Sequence, residues 1–338
     1  MKRFALLFAA VVAIAGVVGC SGGQGARTEI RIPLGAGGVG FLPLYVMREH
    51  ELIEKHARAA GLDDLTVRWI DLGGPAVMND ALLSGSVDVI AAGPPAFLTL
   101  WDRTRGTVDV RGIAAMSSLP MYLNTRAPHL NALEDLTDAD KIALTAVKVS
   151  IPALVMQMYA RERYGDAQVE RFDRYTVTMT HPDGVVALLS GSGGITAHFT
   201  SPPFHQREIE DPAVRTIMTT DDVLGGPTTF TMLSTTAAFR ERNPDAYRAI
   251  LGALEEAVQI IRDDPEHAAD VLIAADAGAG FPRDKLIDVL TDPAVRFTTV
   301  PENVMRYAQF MFAVGSISAA PESWRELFFP EIHSAPGG

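Results

Sequence analysis

Six short segments carry residue types that a binding or catalytic site needs. One is the glycine-rich run at 35–40, which contains Gly35, Gly37 and Gly40. The others are Gly73-Gly74-Pro75, Gly93-Pro94-Pro95, Ser150-Ile151-Pro152, Thr200-Ser201-Pro202-Pro203 and Gly225-Gly226-Pro227. Most stand where a helix begins, so unpaired backbone N–H groups point outward from small or hydroxyl residues. None of these loops contains Lys or Arg. An anion held there would depend on N–H and O–H donors and helix dipoles, without an ion pair. Phe41, Phe97, Tyr122, Phe199, Phe204 and Phe230 lie in or beside the loops. Each fits a core position, and together they allow an organic body on a ligand.

The glycine spacing at 35–40 also fits a dinucleotide fingerprint, which needs an acidic residue about 20 positions further on. The nearest strand-end acid is Asp71, too far away, so the loop reads better as backbone approaching a small ligand. His181, His198 and His205 fall within one segment. His198 ends a strand just before a Pro-Pro loop and is expected to hydrogen-bond a ligand or a neighbouring carbonyl. His50-Glu51 has no second histidine at metalloprotease spacing, and Gly191-Ser192-Gly193 is too short for a nucleophile elbow. No catalytic residue and no metal ligand set is expected.

Two related stretches organise the elements that position these loops. Residues 81–98 read ALLSGSVDVIAAGPPAFL and residues 187–204 read ALLSGSGGITAHFTSPPF. Both parse as the end of an amphipathic helix, a glycine turn, a buried strand and a proline-marked loop opening the next helix. Duplication, or convergent use of one device, implies two similar α/β lobes whose strand ends face a shared crevice. Strands are expected at Glu29–Leu34, Leu65–Leu72, Val108–Met116, Lys141–Ala146, Tyr175–Met179, Val214–Met218 and Thr228–Ser234, with one helix from Phe41 towards Lys55. Ser117–Tyr122 and Gly225-Gly226-Pro227 read as two crossings. Helices then dominate at Asn243–Arg262, Pro265–Ala277, Pro282–Leu290 and Glu302–Val314. The division expected is lobe 1 over 28–118 plus 227–338, with a helical tail, and lobe 2 over 119–226. A hinge at two crossings permits closure.

The chain has 338 residues, 48% hydrophobic and 21% charged, enough for two compact domains. Its 29 Lys and Arg against 41 Asp and Glu give a formal charge of −12, which argues against a nucleic-acid partner. Lys2 and Arg3 precede an apolar run from Phe4 to Val18, then Val17-Val18-Gly19-Cys20 and a Gly/Ser linker. This is the pattern of a bacterial lipoprotein signal, with Cys20 acylated. Residues 1–27 are therefore expected to be signal and linker, and the mature chain anchored to a membrane without spanning it. Cys20 is the one cysteine, so disulfides and cysteine-based metal sites or catalysis are excluded.

Taken in order, GFLPLYV, GGPAVMNDALLSGSVDV, GPPAFL, SSLPMYL, TSPPF, LGGPTTF and FTTVPENVMRYAQFM…SWRELFFP over roughly 28–332 resemble substrate-binding proteins of nitrate/taurine/sulfonate-type ABC importers. The resemblance implies a type II periplasmic-binding-protein fold: two doubly wound α/β lobes, two crossings and a ligand in the cleft. It implies an extracytoplasmic monomer, anchored through lipid, whose ligand-closed form docks on a membrane permease driven by an ATPase. No cofactor and no enzymatic activity are implied. Carried over by motif, the ligand-binding positions are Gly40, Phe41, Gly74, Gly93, Pro94, Pro95, Ser118, Ser150, His198, Thr200, Ser201 and Thr229. Sulfonate-binding relatives often show Gly-Ser/Thr opening the central helix, where this chain has Val149-Ser150-Ile151-Pro152. The same fold also serves thiamine-pyrimidine binding, which keeps a neutral heterocycle as an alternative solute. An extracytoplasmic enzyme using the same cleft is the alternative from another class.

Overall fold

A computed structural model describes residues 28–35, 37–72, 74–191, 194–275 and 280–338. The expected signal and Cys20, Gly73, Ser192-Gly193 and the expected end of the helix at Ala277 lie outside the described residues.

Alternating residues set the first strand. In β1 (Glu29–Pro33), Ile30 and Ile32 are buried while Glu29 faces solvent. It pairs in parallel with β2 (Thr66–Ile70), Glu29 opposite Thr66 through Pro33 opposite Ile70. The connecting helix is broken into α1 (Leu42–Glu49) and α2 (Leu52–Ala59), because Glu51 takes a left-handed φ of 46°. One continuous helix was the expectation from sequence. Next come α3 (Pro75–Leu83), β3 (Val89–Ala92), α4 (Pro94–Thr104) and β4 (Val110–Ser118). All four residues of β3 are buried, so it reads as an apolar run without alternation.

The chain then enters a second sheet through β5 (Tyr122–Thr125) and β6 (Ile142–Leu144). It continues as α5 (Ile151–Tyr164), β7 (Thr176–Thr178), α6 (His181–Ser190), β8 (Ala197–Thr200), α7 (Phe204–Ile209), β9 (Arg215–Thr219) and α8 (Thr220–Leu224). It returns through β10 (Thr229–Thr236) into α9 (Ala237–Arg242), α10 (Pro244–Asp263), α11 (Pro265–Ala274) and α12 (Arg283–Thr291). β11 (Arg296–Phe297), α13 (Val304–Ala313) and α14 (Trp324–Leu327) complete it.

The second sheet has the order β7-β6-β8-β5-β9 and the first contains β11-β4-β10-β3. β1 lies beside β3, where Asp88 N–H donates to the Arg31 carbonyl at 2.9 Å. Each lobe thus runs three strands side by side in matching order, β2-β1-β3 in one and β7-β6-β8 in the other. A strand antiparallel to its neighbours follows, β10 in one lobe and β5 in the other. This is the two-lobed α/β architecture that the resemblance implied. The helical tail covers the first lobe: α10 lies on α1 and α2, and Gly252 leaves room for the His56 ring. A large core runs through both lobes, and smaller apolar clusters sit under α3 and α6. Among the described residues no helix is long and apolar enough to cross a membrane.

Candidate functional site

Four helices of eight or more residues bring their N-terminal ends to one cavity between the lobes. Pro75 of α3, Pro95 of α4 with its cap Gly93, Ile151 and Pro152 of α5 with its cap Ser150, and His181 of α6 all line it. Proline holds the first or second position in every one of these helices, where it costs no internal hydrogen bond. Proline also removes donors, so the wall combines positive helix ends with few N–H groups. Phe41, Met78, Ala92, Met121 and Phe230 make the rest largely apolar. Phe41 and Phe230 meet edge-on, ring centres 6.3 Å apart. Among the described residues no Lys or Arg lines the cavity.

The cavity measures about 60 Å³. A water needs roughly 10–15 Å³ on that scale, so the space suits a solute of about four or five heavy atoms.

Four polar side chains face it. Thr231 is committed, its hydroxyl donating to the Gly40 carbonyl at 2.7 Å. Ser150 donates to the Ala146 carbonyl at 2.6 Å, which leaves its oxygen lone pairs free to accept. The Thr145 hydroxyl has no hydrogen-bond partner among the described residues and is the free O–H donor of the wall. The fourth is His181. Its Nδ1 lies 3.3 Å from His198 Nε2 and 3.1 Å from Thr200 Oγ1, while Nε2 has no partner among the described residues. Phe204 stacks against the ring at 5.2 Å.

Behind His181 runs a buried polar chain. His198 Nδ1 lies 2.5 Å from Glu208 Oε1, and both residues are 0% exposed. Asn124 Nδ2 donates to Glu208 Oε2 at 2.8 Å, and the Thr216 hydroxyl donates to Asn124 Oδ1 at 2.7 Å. His205 joins through Asn124 at 3.1 Å and stacks on Tyr122 at 3.7 Å. Gly184 makes the arrangement possible, because a Cβ there would fall 2.5 Å from the His198 ring. Burial and then the neighbouring His198 lower the His181 pKa to about 3, and burial lowers that of His205 to about 4. Both rings are held neutral. Among the described residues no group of three or more side chains is placed to hold a metal ion.

Of the positions singled out from sequence, Phe41, Gly93, Pro95 and Ser150 line the cavity. The others stand around it. Gly40 packs under Phe230, and Gly74 caps α3 with Thr145 nearby. Pro94 is the first residue of α4, Ser118 donates to the Thr228 carbonyl, and the Thr229 hydroxyl accepts from Glu302 N–H. The Ser201 carbonyl accepts from His205 N–H. His198 and Thr200 are fully buried one layer behind His181. His181, Thr145, Met78 and Met121 are lining residues that sequence reasoning did not assign to the ligand.

A sequence model of the NMT1-like family matches residues 37–275. A comparison with curated proteins finds no match. Among solved structures, the chain is similar to the periplasmic aliphatic sulphonate binding protein SsuA from Escherichia coli. Identity is 17%, coverage 90% of this chain and 92% of that one, and the TM-score 0.59. The alkanesulfonate-binding protein SsuA from Xanthomonas axonopodis pv. citri, bound to MOPS, is 15% identical over 86% of this chain and 95% of that one, with a TM-score of 0.64. The periplasmic nitrate-binding protein NrtA from Synechocystis PCC 6803 is 15% identical over 88% of this chain and 86% of that one, with a TM-score of 0.65. At these identities the likeness is one of fold.

Proposed function

The chain belongs to the NMT1-like family, and on that premise we propose that it is the extracytoplasmic solute-binding component of an ABC importer. It captures a small anion of the nitrate or sulfonate kind between its lobes and presents the closed form to a permease and its ATPase. One observation carries this reading: a small cavity between two lobes is ringed by four helix N-termini and one histidine, with no Lys or Arg among the described residues. Helix ends favour negative charge without steering cations. Names borne by proteins of the same fold, sulphonate-binding and nitrate-binding, agree with that chemistry. Residues 28–118 with 227–338 form lobe 1 and 119–226 lobe 2, and lipid on Cys20 holds the protein at the membrane. The ligand shell comprises Phe41, Gly93, Pro95 and Ser150, joined by Thr145 and His181; Gly40, Gly74, Pro94, Ser118, His198, Thr200, Ser201 and Thr229 shape it. A binding role is favoured over catalysis, since Thr200, the hydroxyl nearest His181, is fully buried and out of a solute's reach.

Small-angle scattering of the mature protein tests this reading. Nitrate or methanesulfonate should reduce the radius of gyration as the lobes close. No change with these anions would count against it, and contraction with a neutral pyrimidine alone would move the protein to the heterocycle-binding branch.

A further inference from the structure

Among the described residues the cavity has one titratable group on its wall, His181, and a buried polar chain stands behind it. Asn124 Nδ2 donates to Glu208 Oε2, so the carboxylate acts as acceptor, and its other oxygen takes the proton on His198 Nδ1. A neutral His198 paired in this way offers its Nε2 lone pair to His181 Nδ1, 3.3 Å away. A proton on His181 Nδ1 completes that contact, and the Nε2 lone pair of the neutral ring then faces the cavity. A lone pair repels an anion. The helix ends around it attract one.

Resting on the anion reading above, we propose that the protein binds its solute together with one proton. His181 becomes an imidazolium whose Nε2–H donates to a bound monoanion, while Nδ1–H stays on His198 and His198 stays on Glu208. The balance is one anion and one proton from solvent in, with no net charge added to the closed cavity. A monoanion is the solute class that one such proton neutralises.

The other titratable groups near His181 lie behind it or out in solvent. On β8 and α7 they are His198, Glu208 and, through Asn124, His205. On its own helix Asp183 is exposed and accepts from the Thr180 hydroxyl, and Lys148 before α5 is exposed. Among the described residues lobe 1 contributes no titratable side chain to the wall. Burial keeps His181 neutral in the empty protein, so any proton there must arrive with the anion. The sign follows: affinity rises as pH falls, by up to about tenfold per unit, between the pKa of the empty protein and the higher one of the complex.

Calorimetric titration of the mature protein with nitrate and with methanesulfonate tests this, at pH 6, 7 and 8 in two buffers of different ionisation heat. The expected result is uptake of close to one proton and an affinity that weakens as pH rises. His181→Gln, which offers an amide donor without a titrating group, should bind with no proton uptake and little pH dependence. Binding by the wild type with no proton exchanged would overturn the inference and leave the importer reading standing. In that case Thr200 would donate to Nδ1 and a neutral Nε2–H would face the anion. Failure of both anions to bind at any pH would overturn the anion reading and this inference with it.

Discussion

The two lobes are built on one plan and equipped differently. Aligning the shared hexapeptides pairs Pro75 with His181, the first residues of α3 and α6, and Met78 with Gly184. In lobe 1 Met78 and Ile90, the second residue of β3, belong to one apolar cluster. In lobe 2 the second residue of β8 is His198, and Gly184 leaves the space its ring needs. The charged pairs differ too. Asp88 binds Arg31 at 3.0 Å with the arginine side chain 23% exposed, whereas the side chains of His198 and Glu208 are both 0% exposed. The same backbone geometry thus supports an apolar wall on one side and a buried polar network on the other. Lobe 1 gives shape, and lobe 2 gives electrical control.

Breaking the buried pair should show this contrast most strongly. Glu208→Ala strips partners from His198 and Asn124 and is expected to cost about 3–5 kcal/mol. Asp88→Ala, against a partly solvated arginine, should cost about 1–3 kcal/mol. Urea unfolding of both variants checks the ranking, and equal losses would erase the distinction.

Acid should then act on lobe 2 first. His181 and His205, lowered to about 3 and about 4, stay neutral in the fold while the unfolded chain titrates near its ordinary value. Their stabilisation is complete above pH 6.5 and is lost as pH falls below it, by about 1.4 kcal/mol per unit for each histidine down to about pH 4. Hydrogen exchange read by mass spectrometry should show residues 176–219 losing protection before 66–116 as the pH is lowered from 7 to 5.

Gly184→Ala should cost about 1–3 kcal/mol, because the added Cβ overpacks the His198 ring. An unchanged melting temperature would mean that the ring moves freely. The smallest effect is expected from Ser150→Ala, about 0.5–1.5 kcal/mol for one hydrogen bond to a backbone carbonyl.

Much of this plan is legible in the sequence because it rests on local signals. The repeated hexapeptide marks two helices that connect equivalent strands, and Asn243-Pro244 places the start of α10 to within a residue. The proline-marked loops at Gly93 and Ser150 do reach the cavity. What escapes is non-local. His198 attracts notice as a strand-end histidine, yet side chains alternate along a strand, and this one points into the lobe against Gly184. His181 becomes recognisable once the repeat is extended backward to Pro75, which was a signal within reach. Thr145 lies just past β6, and only the opposite lobe makes it part of a wall. The split at Glu51 and the six-residue α7 after the second Pro-Pro pair depend on packing that no local pattern encodes.

Native mass spectrometry of gently purified mature protein, with the released solute identified, tests most directly whether the interlobe cavity holds a small anion. One bound monoanion of about four or five heavy atoms is expected, released when the protein is unfolded. A neutral heterocycle recovered in its place would contradict the anion reading.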